Sequence, residues 1–151
     1  MAKTTTKIKK TITFKISDIK VVHFSINNLL NNYQLPKDYP YTFEVKLTVL
    51  FNPVIKSIGI ESSVLIFKDK NKKESLCNLV VFVSYEVKEF EEVVLKRDTE
   101  FVMVPEILKS FMSNNIGVTR GILYTKTQGT FLQNVYLPPV DINKFIKLSP
   151  K

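Results

Sequence analysis

Only one long stretch of this chain repeats its apolar residues at helical spacing, and it follows a series of strand-like runs instead of alternating with them. Strands first and a long helix last point to an α+β architecture with an antiparallel sheet. The helical stretch opens at Pro105, whose ring suits the first helical position, with Glu106 at the positive end of the helix dipole. Ile107/Leu108, Phe111/Met112, Ile116, Thr119 and Leu123 recur at helical spacing, and Gly129 is the natural stop. A second stripe, Ser113, Gly117, Gly121 and Thr125, recurs every four residues and so stacks on one face. Two glycines inside a helix cost roughly 2 kcal/mol against alanine. A helix that carries them is expected to have another backbone pressed against that face. Incidental glycine use, or a break near Asn114-Asn115, is the plainer alternative.

The strands before it read from their alternation. Phe14 and Ile16 alternate with Lys15 and Ser17, and Ile19, Val21, Val22, Phe24 and Ile26 continue with a shift of phase. A phase shift inside one long strand predicts a bulge or strong twist. A polar, proline-bounded connection over residues 27–40 leads to Tyr41–Phe51, where Phe43, Val45, Leu47 and Val49 alternate with Glu44, Lys46 and Thr48. One face there is buried and one is wet. A third strand is expected over Val54–Lys68 and a fourth from Cys77 to about Phe90. Val64-Leu-Ile-Phe67 and Leu79-Val-Val-Phe-Val83 are apolar on both faces, which predicts local cover on both sides and hints at an oligomer. Residues 91–100 read as an unpatterned crossover containing Val93, Val94 and Leu95.

Composition excludes several function classes. At 151 residues, 44% apolar and 24% charged, the chain is expected to be a single domain over residues 1–151, with 1–11 as a flexible basic extension. One cysteine, Cys77, rules out an internal disulfide framework and a cysteine-based zinc site. The lone histidine, His23, sits on a strand without a nucleophile motif, and no phosphate-binding loop or metal-ligand spacing appears. Neither an enzyme nor a cofactor or metal ion is therefore expected. Residues 1–6 are too polar to begin a signal peptide and no apolar run approaches ~18 residues, so a cytoplasmic chain without membrane insertion is expected. The net charge of +8 invites a nucleic-acid reading, carried by Lys3, Lys7, Lys9 and Lys10 and by the cluster of residues 68–73. With only two arginines, Arg97 and Arg120, and the second cluster placed between two strands, a solvated hairpin loop that discourages edge pairing is the better account. Nucleic acid is the weakest of the candidate partners.

Residues 129–146, Gly-Thr-Phe-Leu-Gln-Asn-Val-Tyr-Leu-Pro-Pro-Val-Asp-Ile-Asn-Lys-Phe-Ile, resemble the end of the SecB family of export chaperones, which have Gly-Thr-Phe-Pro-Gln, an apolar Leu-x-Pro-Val and a short terminal helix. Phe14, Ile16, Ile19 and Ser25 follow the opening strand of that family, and Glu44-Val-Lys-Leu47 is similar to a tetrapeptide of its second strand. The element order agrees over nearly the whole chain.

The resemblance implies a SecB-like fold: a four-stranded antiparallel sheet, a crossover loop, one long helix and a short C-terminal helix. It implies a cytosolic, ATP-independent holdase that binds unfolded or nascent polypeptide in apolar grooves and serves protein export. The corresponding groove residues would be Val93, Val94, Leu95, Phe101, Val102, Met103, Ile142, Phe145, Ile146 and Leu148. Several of them could instead close the protomer's own core. The family's dimer of dimers would place Ser113, Gly117, Gly121 and Thr125 in a subunit interface. Some SecB-like proteins serve a single partner such as an antitoxin, and that dedicated role is the alternative. Docking of the motor SecA is doubtful, because His23 and Asn27 stand where the family carries acidic residues.

Overall fold

The computed structural model describes residues 11–27 and 40–146. Four long strands, β1 (Phe14–Ile26), β2 (Thr42–Asn52), β3 (Ser57–Phe67) and β4 (Ser75–Val87), form one antiparallel sheet in the order β1-β4-β3-β2. A short helix α1 (Phe90–Val93) leads into a small hairpin of β5 (Val94–Arg97) and β6 (Glu100–Met103). The long helix α2 (Pro105–Thr127) follows, and the four-residue α3 (Asn143–Ile146) ends the described chain. This is the α+β arrangement expected from the order of apolar patterns. The basic residues 1–10 lie outside the described residues.

The phase shift in β1 is real. Its pairing with β4 slips between Ile16 and Asp18 and again between Val21 and His23, so Phe14, Ile16, Ile19, Val21, Phe24 and Ile26 all keep to the register of the core-facing residues of β4. α2 is continuous through Asn114 and Asn115, and it ends in a type II turn: Gln128 (φ −59°, ψ 136°) leaves the helix, Gly129 supplies the positive φ of +76°, and the Thr130 N–H donates to the Thr127 carbonyl (3.1 Å). Three sequence expectations are corrected. β3 starts at Ser57, because the Asn52 carboxamide oxygen accepts the N–H groups of Val54 and Ile55 (3.2 and 3.4 Å) and closes a turn there. β4 ends at Val87, and Phe90 belongs to α1. The crossover is not unpatterned: α1 buries Phe90 and Val93, and the hairpin β5–β6 buries the pair Val94–Met103 while the next pair, Leu95–Val102, stays more open.

The core lies between α2 and the two central strands. Ile58, Ile60, Val64 and Ile66 of β3, and Leu79, Val81, Val83 and Tyr85 of β4, are fully buried on that side. Phe111 stacks on Tyr85 with ring centroids 4.6 Å apart, and Phe14 meets both rings edge-on. The Tyr85 hydroxyl donates to the Asn114 carboxamide oxygen (2.9 Å), so a fully buried tyrosine keeps a partner. One turn on, Asn115 donates from Nδ2 to the carbonyl of Ile60 (3.0 Å), and Thr119 shares a hydrogen bond with Ser62. These polar contacts set where α2 lies along β3, which apolar packing alone would leave adjustable.

The opposite sheet face carries Val80, Phe82 and Leu65 at half-burial. The Phe82 ring lies across Gly59, where a Cβ would come within 2.5 Å of it. Glycine lets the Phe82 ring lie flat there, and any side chain at position 59 would push the ring aside.

Burial makes two groups weaker acids. The Cys77 thiol is pushed up to about 11 and the Tyr85 phenol to about 12, each by loss of solvent. The native state therefore keeps two protons that an unfolded chain sheds at lower pH. Their contribution to stability is complete below about pH 9 and is lost as pH rises through 9 to 12. The thermal midpoint should fall between pH 8 and pH 11. At pH 8 the native Cys77 should react with a thiol reagent on the order of 100-fold more slowly than in urea-unfolded chain.

Candidate functional site

β2 is one edge of the sheet. Phe43, Val45, Leu47, Val49 and Phe51 pair with core-facing residues of β3, so they turn toward the helix side, yet all remain half-buried. The hairpin β5–β6 reaches toward the far end of this row, where Phe101 tilts against Phe51 with ring centroids 6.1 Å apart. After α2 the chain doubles back along the helix. Arg120 holds it there by donating from Nε to the carbonyl of Leu137 (3.1 Å) and from Nη2 to that of Pro138 (3.3 Å). Leu132, Val135 and Leu137 are thereby buried, and the chain goes on to α3, none of whose residues is buried. Phe101, Ile142, Phe145 and Ile146 pack on the rim of the core without being enclosed by it.

The ten residues singled out from the sequence divide by strand alternation. Val94 and Met103 face each other across the hairpin and turn inward, at 5% and 4% exposure, and Val93 closes α1 at 1%. These three belong to the protomer's core and offer no surface to a ligand. Leu95 and Val102 face each other on the hairpin's outer side, Leu95 at 43% exposure, and Phe101 is half-buried. Leu148 lies outside the described residues. Sequence reasoning missed the β2 row: its clean alternation looks like any buried face, and only its place at the sheet edge leaves it open.

A second open apolar surface lies along β1, the other edge. Phe14, Ile16, Ile19 and Val21 are 40–47% exposed although they share the core-facing side of the sheet. α2 covers β3 and β4 and meets β1 at Phe14, against Phe111, and at Phe24, under Lys126, which leaves Ile16, Ile19 and Val21 open between them. The stripe of Ser113, Gly117, Gly121 and Thr125 is exposed, and no described atom lies within 4 Å of where a Cβ on Gly117 or Gly121 would sit. Among the described residues, then, no backbone presses on the stripe.

The polar residues assemble no reaction centre among the described residues. His23 shares a hydrogen bond with Ser25 on the exposed edge strand, and Cys77 is buried. No three His, Cys, Asp or Glu side chains among the described residues come together as metal ligands, and no described helix is long and apolar enough to cross a membrane. The net charge is unevenly placed. Outside the described residues stand seven lysines against one aspartate, which accounts for six of the eight surplus charges. The lysine cluster expected in a hairpin loop is there, between β3 and β4, with Lys72 paired to Glu44.

With the geometry in hand, comparison decides the fold. No protein-family model matches the chain, and no curated protein matches its sequence. Among solved structures, the SecB-like chaperone Rv1957 of Mycobacterium tuberculosis, in complex with a ChAD peptide from the Rv1956 HigA1 antitoxin, superposes with a TM-score of 0.52 at 13% identity. The match covers 85% of this chain and 88% of that one. The fold is SecB-like. At that identity the likeness extends to the path of the chain and not to individual side chains.

The inward and outward sides of the hairpin can be told apart by substitution. Val94→Asp should lower unfolding stability by about 3 kcal/mol or more, since it buries a charge. Leu95→Asp should change it by less than about 1 kcal/mol in the same urea titration.

Proposed function

We propose that this protein is an ATP-independent holdase of SecB type, which binds unfolded or nascent polypeptide along the apolar row of β2 and the flanking residues Leu95, Phe101, Val102, Ile142, Phe145 and Ile146. The observation that carries the proposal is the half-buried row itself, five apolar side chains long and left open at a sheet edge. Such a surface gains roughly 25 cal/mol for each Å² of apolar area it covers, with little demand on sequence. Its aromatic rings, Phe43, Phe51, Phe101 and Phe145, offer broad apolar contact to changing partners. The SecB-like fold, shared with a chaperone solved with an antitoxin peptide bound, supports polypeptide as the ligand class. It also favours a dedicated partner as the second reading, beside a general role in export.

Wild-type protein at a few-fold excess should slow aggregation of a chemically unfolded client without nucleotide, and Ile142→Asp with Phe145→Asp should weaken that protection by tenfold or more. A wild-type protein that leaves aggregation unchanged would sink the proposal. Equal affinity for several unrelated unfolded chains would decide for the general role; one strongly preferred partner captured from native lysate would decide for the dedicated one.

The same reading includes assembly. We propose that two copies pair through the open flank made by β1 and the α2 stripe, and that such dimers pair again. Four apolar residues of β1 are 40–47% exposed and no described atom lies over the glycines of the α2 stripe, so a second copy has two bare surfaces to cover. Gly117→Leu with Gly121→Leu separates the possibilities. In an isolated protomer the change fills open space and replaces poor helix formers, so stability should rise by about 1 kcal/mol or more. In the proposed interface the new side chains block close approach, and the mass by light scattering should drop to that of a monomer. An unchanged oligomeric mass would remove the interface.

A further inference from the structure

The return that follows α2 is fastened at very few points. Tyr136 stacks on Tyr124 with ring centroids 6.0 Å apart, and one helical turn earlier Arg120 reaches the next two residues of the return, Leu137 and Pro138. Nε and Nη2 share one edge of the guanidinium, and they take two successive carbonyls at 3.1 and 3.3 Å. Leu137 is the last buried residue of the described chain, and Pro138 to Ile146 are all half-buried or exposed. Pro138 and Pro139 have no N–H to donate. Asn143 and Lys144 donate to Asp141 and Phe145 donates to Ile142, bonds that close α3 on itself and not on the sheet. The two bonds from Arg120 are therefore the only hydrogen bonds that join residues 136–146 to the rest of the described chain.

One side chain thus links the helix anchored in the core to Ile142, Phe145 and Ile146, which stand on its rim. The residue type fits the task. Of 22 basic residues only Arg97 and Arg120 are arginine, and Arg120 stands where a planar fork is needed. A lysine would bring the same charge, but its ammonium is a single point on a flexible stem and does not hold two carbonyls in a fixed plane. The charge on the guanidinium strengthens both bonds, which suits a fastening that lies in water.

We propose that Arg120 is a positioning residue of the client site: its fork fixes where the return leaves α2, and so sets where Ile142, Phe145 and Ile146 stand as the wall of the groove. The inference rests on the chaperone reading and adds to it an exposed residue that acts through the wall and not on the guest. A wall held at one point swings when that point is released. Its apolar residues then spend less time in the arrangement a guest needs, and the apparent dissociation constant rises as that fraction falls.

Binding of fluorescently labelled, reduced and alkylated α-lactalbumin, which stays unfolded, to the full-length protein tests it by anisotropy. Arg120→Lys should weaken binding by about tenfold, the scale of losing charge-assisted hydrogen bonds. Circular dichroism and the urea midpoint check that the variant keeps its fold. In a chain that already carries Ile142→Ser and Phe145→Ser, the same Arg120→Lys change should cost less than about twofold, because the wall it places is gone. An Arg120→Lys protein that binds as tightly as the wild type overturns the proposal. So does an equal loss in both backgrounds, since Arg120 would then act through general stability. A wild type that binds no unfolded chain is a different result, which overturns the chaperone reading and this role with it.

Discussion

The contact on which the rest of this protomer depends is the seating of α2 across β3 and β4. Phe111 stacks on Tyr85, Asn115 holds the carbonyl of Ile60 and Thr119 meets Ser62, so the helix is fixed both in depth and along its length. Because those anchors all lie on the two central strands, both edge strands are left partly open on the side that α2 covers. The open flank along β1 and the open row along β2 are two consequences of one docking position. Neither would exist if the helix lay over an edge, and a single helix cannot cover all four strands.

The two edges are nevertheless different surfaces. β1 slips register twice and leaves Ile16, Ile19 and Val21 40–47% exposed. β2 pairs with β3 without a slip through all its residues, and its open side is bordered by the hairpin β5–β6 at Phe101. A surface framed by a rim suits an extended guest, and an open edge strand suits a second copy. That difference underlies the assignment of one edge to polypeptide and the other to assembly.

How much was legible beforehand depended on the range of the interaction. The helix of residues 105–127, its glycine stop, the slip in β1 and the placement of the lysine cluster in a hairpin loop all follow from contacts between near neighbours in sequence. The start of β3 was misplaced because Asn52 caps the next turn, a side-chain contact that alternation does not report. The groove was half legible. Leu95 and Phe101 stay open, but Val93, Val94 and Met103, equally apolar and equally close in sequence, are core. Their separation rests on the pairing of Val94 with Met103 and Leu95 with Val102, which becomes definite only when the hairpin forms and one of its faces meets the sheet. The glycine stripe was legible as one face of α2, and in the protomer that face is exposed.

By itself the sequence determined the four long strands and the long helix, the apolar side of β2, and that most of the net charge sits apart from the apolar patterns. These are properties of residue type and spacing, and they survive in any arrangement that buries an apolar face. Tertiary structure alone decided that β1 and β2 are the edges, that β4 and β3 lie between them, and hence which apolar faces are closed and which stay open. Strand order is a choice among long-range pairings with the same local pattern, and it was made where α2 could bury Tyr85, Ile60 and Ser62 together. The exposure of Val54 and Ile55 is of the same kind: their apolar character is written in the chain, and their place at the tip of the β2–β3 hairpin is a fact of the fold.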